Sequence, residues 1–406
     1  MSDKESNVNR RDFIKYVGGA AVGLGIGGAG YLSANSQVGT VTSELETANS
    51  ELDQIKEELK GRGHLGYVFG AEGSIATIDL ARGKVLASSG PTWIAEAGSI
   101  DWCNHWPDAN GNIWGLVRKP GQIGSTIAVN PTTNELVHDV PLEGRWRIRL
   151  GETDEEGKYG YMLNGYIADK YDSEKFNASR DEFEIPYEDV DPGEIHKIDL
   201  LKGEVVDVLP VPKFCCDVAI APDGKLWLVN QLESLISVVD TKTFTIEEHL
   251  ALDYYDYGAS MITISPNNDV AFIEVNSAGN WSNAGGFQNL DPIEMVWDIK
   301  AKEMVKEFPL EAGPRTSEFT PDGKYCVVRT RPASIIYDVE SLSEVTRIEV
   351  ENTGHPAFSP DSTLAYIPNP GDSAIDVLEV GSFKKVDSLK LPYSPSKIVP
   401  INTNNY

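Results

Sequence analysis

From Val218 the chain alternates apolar and polar positions: Val218 and Ile220, then Leu226 and Leu228, then Ile236 and Val238. A period of two marks strands with one face in a core. Between the first two runs stands Pro222-Asp223-Gly224. Proline fixes φ, aspartate hydrogen-bonds nearby backbone and glycine accepts positive φ, so the triplet predicts a tight turn. The third run closes on Asp240, and a return strand follows. The stretch Asp217–Thr243 therefore reads as strand, turn, strand, polar loop, strand.

The same plan recurs as FTPDGKYCVV at Phe319–Val328 and FSPDSTLAYIP at Phe358–Pro368. It recurs more loosely as ISPNNDVAFIEV from Ile264 and WPDANGNIWGLV from Trp106. Alignment on the turn makes Gly111, Gly157, Gly224, Asn268, Gly323, Ser362 and Asn402 equivalent. Several units also end in an Asp strand and its return, as in ISVVDTKTFTIEEHL, MVWDIKAKEMVKEF and IIYDVESLSEVTRI. A period of about forty residues with four strands per unit predicts propeller blades. The first unit, from Leu65, lacks an opening strand, whereas SPSKIVPIN at Ser394–Asn402 is a strand without a unit. One closing device accounts for both, and the expected fold is all-β: a seven-bladed propeller closed by the C-terminal strand.

The segment LWLVNQLESLISVVDTKT resembles the YVTN-type propeller repeat, and the resemblance extends with falling fidelity from Leu65 to Asn402. Propellers of this kind are similar to the haem-binding domain of dissimilatory nitrite reductases and the copper domain of nitrous oxide reductases. Neither cofactor motif is matched here. The resemblance implies the architecture and leaves the activity open, because one fold carries unrelated functions.

Composition narrows the partners. The 406 residues are 41% hydrophobic, enough for a large core. A formal charge of −27 leaves no basic stripe to neutralise phosphates, so nucleic acid and bare anionic membrane are excluded as docking surfaces. Asn9-Arg10-Arg11-Asp12-Phe13-Ile14-Lys15 resembles a twin-arginine export signal, and Tyr16–Leu32 follows as a Gly-rich, weakly apolar segment. Residues 1–36 are read as a signal or a retained membrane anchor, which predicts export across the cytoplasmic membrane and tethering to its outer face. Val38, Val41, Leu45, Ala48, Leu52, Ile55 and Leu59 form a heptad seam, so residues 37–62 read either as a coiled-coil stalk that forms a homo-oligomer or as a helix lying on the propeller. Residues 63–406 are the propeller.

Propeller topology puts the loop leading into each blade and the loop between its second and third strands on one face. In this chain those are the long ones. Asn164–Gly193, Asn276–Pro292 and Leu252–Ser260 carry the excess length, with Tyr255 and Tyr257 in the last. Long aromatic loops on one rim of a rigid scaffold are how such a fold presents a site.

The residues just before each inner strand supply candidate chemistry. Arg145, Arg147 and Arg149 alternate along one strand face and, with Arg315, could clamp an oxyanion or pair with the acidic loops. Trp102, Asp217, Tyr255 and Tyr257 complete the ligand-binding set. His105, His355, Cys103, Cys215, Cys216 and Met261 are the metal or redox candidates, with a Cys103 disulfide, a vicinal Cys215–Cys216 disulfide and a soft-metal site all open. Cys326 sits in an apolar strand and reads as core. No C-x-x-C-H is present, which excludes covalent c-type haem; copper, non-covalent haem and calcium stay open. No Ser-His-Asp order, phosphate loop or zincin motif occurs. The function expected is an exported, membrane-tethered propeller binding a protein partner or a small anionic ligand. A redox or metal-dependent enzyme and a structural cell-envelope protein are the alternatives.

Overall fold

The computed structural model describes residues 65–401, apart from 71–74, 81–83, 90–98, 119–124, 131–134, 143–147, 155, 165–191, 214, 231–234, 253–257, 277–291, 312–315, 331 and 351–353. The twin-arginine segment and the heptad helix lie outside the described residues. Among the described residues no helix is long and apolar enough to cross a membrane.

Seven four-stranded antiparallel sheets form the seven expected blades. In blades 2 to 7 the strands run outward in chain order, or in blade 3 as the same series from Ile148–Thr153 to Glu204–Val211. Blade 1 is different. Its inner strand is Pro395–Ile401, which pairs antiparallel with Leu65–Gly70 from Leu65↔Ile401 to Gly70↔Pro395. The two oddities of the sequence are one sheet. Inner strands of neighbouring blades touch from blade 2 through blade 6, and Pro395–Ile401 meets those of blades 2 and 7.

The turns follow from the residues aligned in the sequence. Gly111, Gly157, Gly224, Asn268, Gly323 and Ser362 all adopt positive φ, between 56° and 82°. These are the six equivalent first-to-second turn positions within the described residues. Asn is among the residues best suited to that region without glycine's freedom, and Ser362 bears the larger strain. A second set closes the third-to-fourth hairpins. Gly203, Phe244, Lys302, Leu342 and Phe383 are left-handed at the same offset from the terminal acid of the third strand. That acid is the repeated Asp, with Glu379 in its place in blade 7. Asp240 Oδ1 accepts from the backbone of Lys242 and Thr243, Asp298 from Ala301, and Asp338 from Ser341. Its recurrence is turn chemistry, since a short carboxylate satisfies backbone donors that the reversal leaves unpaired.

Alternate strand positions pack against opposite neighbours. In blade 5, Ala271, Ile273 and Val275 pack with Val229 and Ile236 of blade 4, while Phe272 and Val296 pack with Cys326 and Val328 of blade 6. Cys326 is therefore core, as its apolar strand predicts. Two left-handed turn residues also serve packing: Phe244 reaches Tyr161 of blade 3, with ring centroids 6.2 Å apart, and Phe383 meets Tyr325 of blade 6 edge-on at 5.1 Å. Burying such a ring is worth about 1.5–3 kcal/mol, enough to hold a non-glycine residue in a strained turn.

The strand order fixes the two faces. On one, the connections Ile220 to Lys225, Asp240 to Thr245, Phe319 to Tyr325 and Glu379 to Lys385 are short. On the other lie the spans from Asn164 to Gly193, Asn276 to Ile293 and Ala251 to Gly258. The elaborated face is also the end at which every inner strand begins.

Candidate functional site

The channel mouth on that face is lined by charged side chains set into otherwise apolar strands. Asp217, near the start of the blade 4 inner strand (Cys215–Ile220), is buried. Its Oδ1 accepts from the Val218 amide at 2.8 Å and its Oδ2 from the Ile262 amide of blade 5 at 2.9 Å. It thus staples two inner strands through backbone donors.

Between blades 5 and 6 lies a carboxyl pair. Glu274 and Glu294 are direct cross-strand partners and both are buried. Glu294 Oε1 accepts from the Ser317 hydroxyl of blade 6 at 2.6 Å. Burial pushes the Glu294 carboxyl up to about 8, with the Ser317 bond opposing. Burial, then the charges of Glu294 and Asp217, push Glu274 well above the usual carboxylate range, while Arg329 opposes. Two like charges this close in a dry seam do not both ionise near neutrality.

Blade 6 meets blade 7 through a different arrangement. An Arg329 Nη lies 3.2 Å from His355 Nε2, and His355 Nδ1 lies 3.8 Å from Glu318 Oε1. A guanidinium only donates, so the bond requires a lone pair on Nε2 and puts the imidazole proton on Nδ1, towards Glu318. The His355 amide donates to Ser396 O at 2.7 Å, and His355 bridges Lys397 of the closing strand in parallel fashion. Gly354 is required beside it, because a Cβ there would overlap Ser396 O and Pro368. His355 thus joins three blades: 6 by side chain, 7 by chain, 1 by backbone.

Glu152, on the blade 3 inner strand (Ile148–Thr153), completes the ring. Burial first, then the like charge of Asp217, push its carboxyl up to about 8, with Lys397 opposing and Glu318 adding. Burial also raises Glu318, against Lys397 and Arg329. These mutual fields put side chains from blades 1, 3, 4 and 6 around one space. Glu318 nevertheless keeps 36% of its side-chain surface accessible, and Glu152 is half-buried. Accessible surface on a group that is desolvated by surrounding protein is the wall of an internal channel.

The sequence candidates divide as follows. Arg145, Arg147, Arg315, Tyr255 and Tyr257 lie outside the described residues. Trp102, Cys103 and His105 fall on the blade 2 inner strand (Ser99–Pro107), Arg149 on that of blade 3 and Cys216 on that of blade 4; their side chains also lie outside the described set. The backbone around the first group is informative: pairing jumps from Asp101↔Leu116 to Trp106↔Trp114, so Trp102–His105 form a wide bulge opposite Gly115. Bulges re-aim side chains at such rims. Cys215 is buried in the apolar cluster with Val218 and Leu228, and Met261 packs against the same cluster. His355 is at the mouth, bound to Arg329. Among the described residues no group of three or more His, Cys, Asp or Glu is arranged to hold a metal ion.

Glu152, Glu274, Glu294, Glu318 and Arg329 were not among the sequence candidates. The signal was a lone glutamate inside an apolar run, as in AFIEV and IEMVW. A strand buried on both faces forces such a residue inward.

No family model matches this chain, and no curated protein does. Many solved structures share the fold. A putative 6-phosphogluconolactonase from Bacteroides uniformis is 13% identical, with a TM-score of 0.57 over 83% of this chain and 99% of the other. Hydrazine synthase of Kuenenia stuttgartiensis is 13% identical, with a TM-score of 0.54 over 75% and 90%. The dihydro-heme d1 dehydrogenase NirN in complex with DHE is 13% identical, with a TM-score of 0.55 over 85% and 76%. Likeness at this identity shows the propeller fold alone.

Proposed function

We propose that this protein is an exported, membrane-tethered propeller that binds a protein partner or a small anionic ligand on its elaborated face. The carrying observation is that the long loop spans and the charged channel mouth share one face of the disc. Lys397 of blade 1 and Arg329 of blade 6 lie on either side of His355 of blade 7 and give an oxyanion cationic groups to approach, and Arg145, Arg147, Arg149 and Arg315 extend that chemistry in the sequence. The paired arginines at Arg10 and Arg11 and the weakly apolar stretch behind them support export and tethering.

The test is a thermal-shift screen of small carboxylates, phosphates and sulfates on the exported protein, repeated on the Arg145→Ala/Arg147→Ala double variant. Stabilisation by an oxyanion that disappears in the variant is the expected result. A response unchanged by the substitutions rejects the arginines' role. Fractionation of cells producing the full chain and an Arg10→Lys/Arg11→Lys variant tests export; the variant should stay in the cytoplasm.

A further inference from the structure

The outer edge of the disc repeats one apolar position. In every blade the outermost strand carries a bulge, and the extra residue there is leucine or valine except in blade 4, where it is Glu247. A bulge blunts a sheet edge against pairing with other strands, so the repeated residue needs no partner to explain it.

Blades 2 and 3 break the repeat. Val208 of blade 3 stands opposite His196, where the corresponding residues of blades 4 to 7 are His249, Glu307, Arg347 and Ser388. Leu201, second after the terminal acid Asp199, stands where blades 4 to 6 have Lys242, Lys300 and Glu340. Leu136 adjoins the bulge residue Val137. Leu136, Leu201 and Val208 are 41–43% exposed. The two blades also abut at this edge, because a Cβ on Gly203 of the blade 3 hairpin would lie 2.5 Å from His138 Nδ1 of blade 2. With Val137 and Val206 they form an apolar patch across the seam. Elsewhere on the described edge a blade exposes at most its bulge residue among the large apolar side chains.

The occupant follows from where the described chain begins. Leu65 pairs with Ile401 and Asp79, the ends of the inner and third strands of blade 1, so the preceding segment reaches the disc at the face of short connections. Leu201 and Leu136 lie towards that same face, in or just after the third-to-fourth connections of their blades. From the second strand of blade 1 to its outermost is two strand spacings, about 10 Å, and residues 61–64 reach about 13 Å. From blade 1 to blade 3 is two sheet spacings, about 20 Å and more at the rim. Wound as a helix, residues 38–59 measure about 33 Å, so their heptad seam reaches the patch. A lone helix of that length is marginal in water and needs a surface for its apolar stripe.

We propose that residues 37–62 form an amphipathic helix docked by its apolar seam on the outer edge of blades 2 and 3. Docked there, the link to the proposed membrane anchor holds the disc by its edge and leaves the elaborated face clear. The docking is independent of what that face binds.

Hydrogen exchange on the full chain in detergent is the direct test. Amides of residues 44–59 should be protected, and Leu201→Lys/Val208→Arg should speed their exchange by about tenfold or more. Those substitutions install residue types that other blades carry at the same positions, and unchanged exchange in Val270–Asn276 of blade 5 checks the fold. Leu45→Gln/Leu52→Gln, outside the propeller, should lower the melting temperature of the full chain, and adding the rim pair should lower it no further. Light scattering separates the other occupants. Protection that survives the rim pair, in a particle of two or more chains that Leu45→Gln/Leu52→Gln dissociates, would replace docking by a coiled-coil stalk. A dimer dissociated by the rim pair, with residues 44–59 unprotected, would give the patch to a second copy. Absent protection in a monomeric wild type would overturn the docking too, as would melting losses that simply add.

Discussion

Blade 6 is bounded by two seams that use the same acidic side chain to different ends. Towards blade 5 lie Glu274 and Glu294, dry, facing each other, with Ser317 as donor. Towards blade 7 lies Glu318, partly accessible, within reach of His355 Nδ1 and the charges of Arg329 and Lys397. The first seam is comfortable when its carboxyls hold protons. The second holds a carboxyl that burial also raises, but here Lys397 and Arg329 oppose the rise. Both seams therefore lose stability as pH rises, and what separates them is the supply of cationic partners that oppose the rise at Glu318.

The largest effect expected is from Arg329→Met. Arg329 donates to His355 and its charge opposes the rise of both Glu318 and Glu274, so it acts on both seams. Its loss should cost about 3–5 kcal/mol, as for a broken buried charge arrangement, read from denaturant unfolding at pH 7. A loss below about 1 kcal/mol would mean that the seams stand independently of it.

Next comes Gly354→Ala, which acts on the second seam alone. The added methyl meets the Ser396 carbonyl and Pro368, so the blade 7 segment must withdraw from the closing strand. About 3 kcal/mol is expected, with faster hydrogen exchange at the His355 amide. Unaltered exchange there would separate Gly354 from ring closure.

The pH dependence sharpens the contrast further. Glu294 has a folded-state pKa raised from 4.5 to about 8. Between those limits the folded protein holds a proton that the unfolded chain releases. The resulting stability is complete below pH 4.5 and is lost as pH rises towards 8, by about 1 kcal/mol per unit. Glu294→Gln should flatten that slope. Glu318→Gln should flatten it less, because Lys397 and Arg329 already oppose the rise of that carboxyl. Identical profiles for wild type and both variants would dissolve the distinction between the seams.

The smallest effect tests a site remote from both. Asp240→Ala removes acceptors for Thr243 and Lys242, whose amides hold that carboxyl below its usual range, so it should lower stability slightly at neutral pH and less in acid, read from unfolding at both.

The architecture was legible because its signals are local. The turn positions Gly111, Gly224 and Asn268 took the conformation their types suggest, and Ser362 took it by its place in the repeat. The closing strand was legible by subtraction, a unit lacking a strand and a strand lacking a unit. The seams were not legible, because they depend on which faces of neighbouring sheets meet. Glu274 and Glu294 lie in separate strands with a long span between them, and nothing local says that they oppose each other. Asp217 was legible as a mouth residue, but its partner Ile262 belongs to the next blade, so its stapling role appears only in three dimensions. His355 was recognised by residue type, while its partners Arg329 and Ser396 are set by the meeting of three blades.

The sharing of one sheet by Leu65–Gly70 and Pro395–Ile401 dictates an order of events during synthesis. Six blades can be finished one after another as they leave the ribosome, but blade 1 must wait with an uncovered β-edge until residues 395–401 emerge. A nascent or stalled molecule is accordingly an open fan whose bare strand invites pairing with its neighbours on the polysome. Chaperone demand should therefore peak late in elongation and vanish on release.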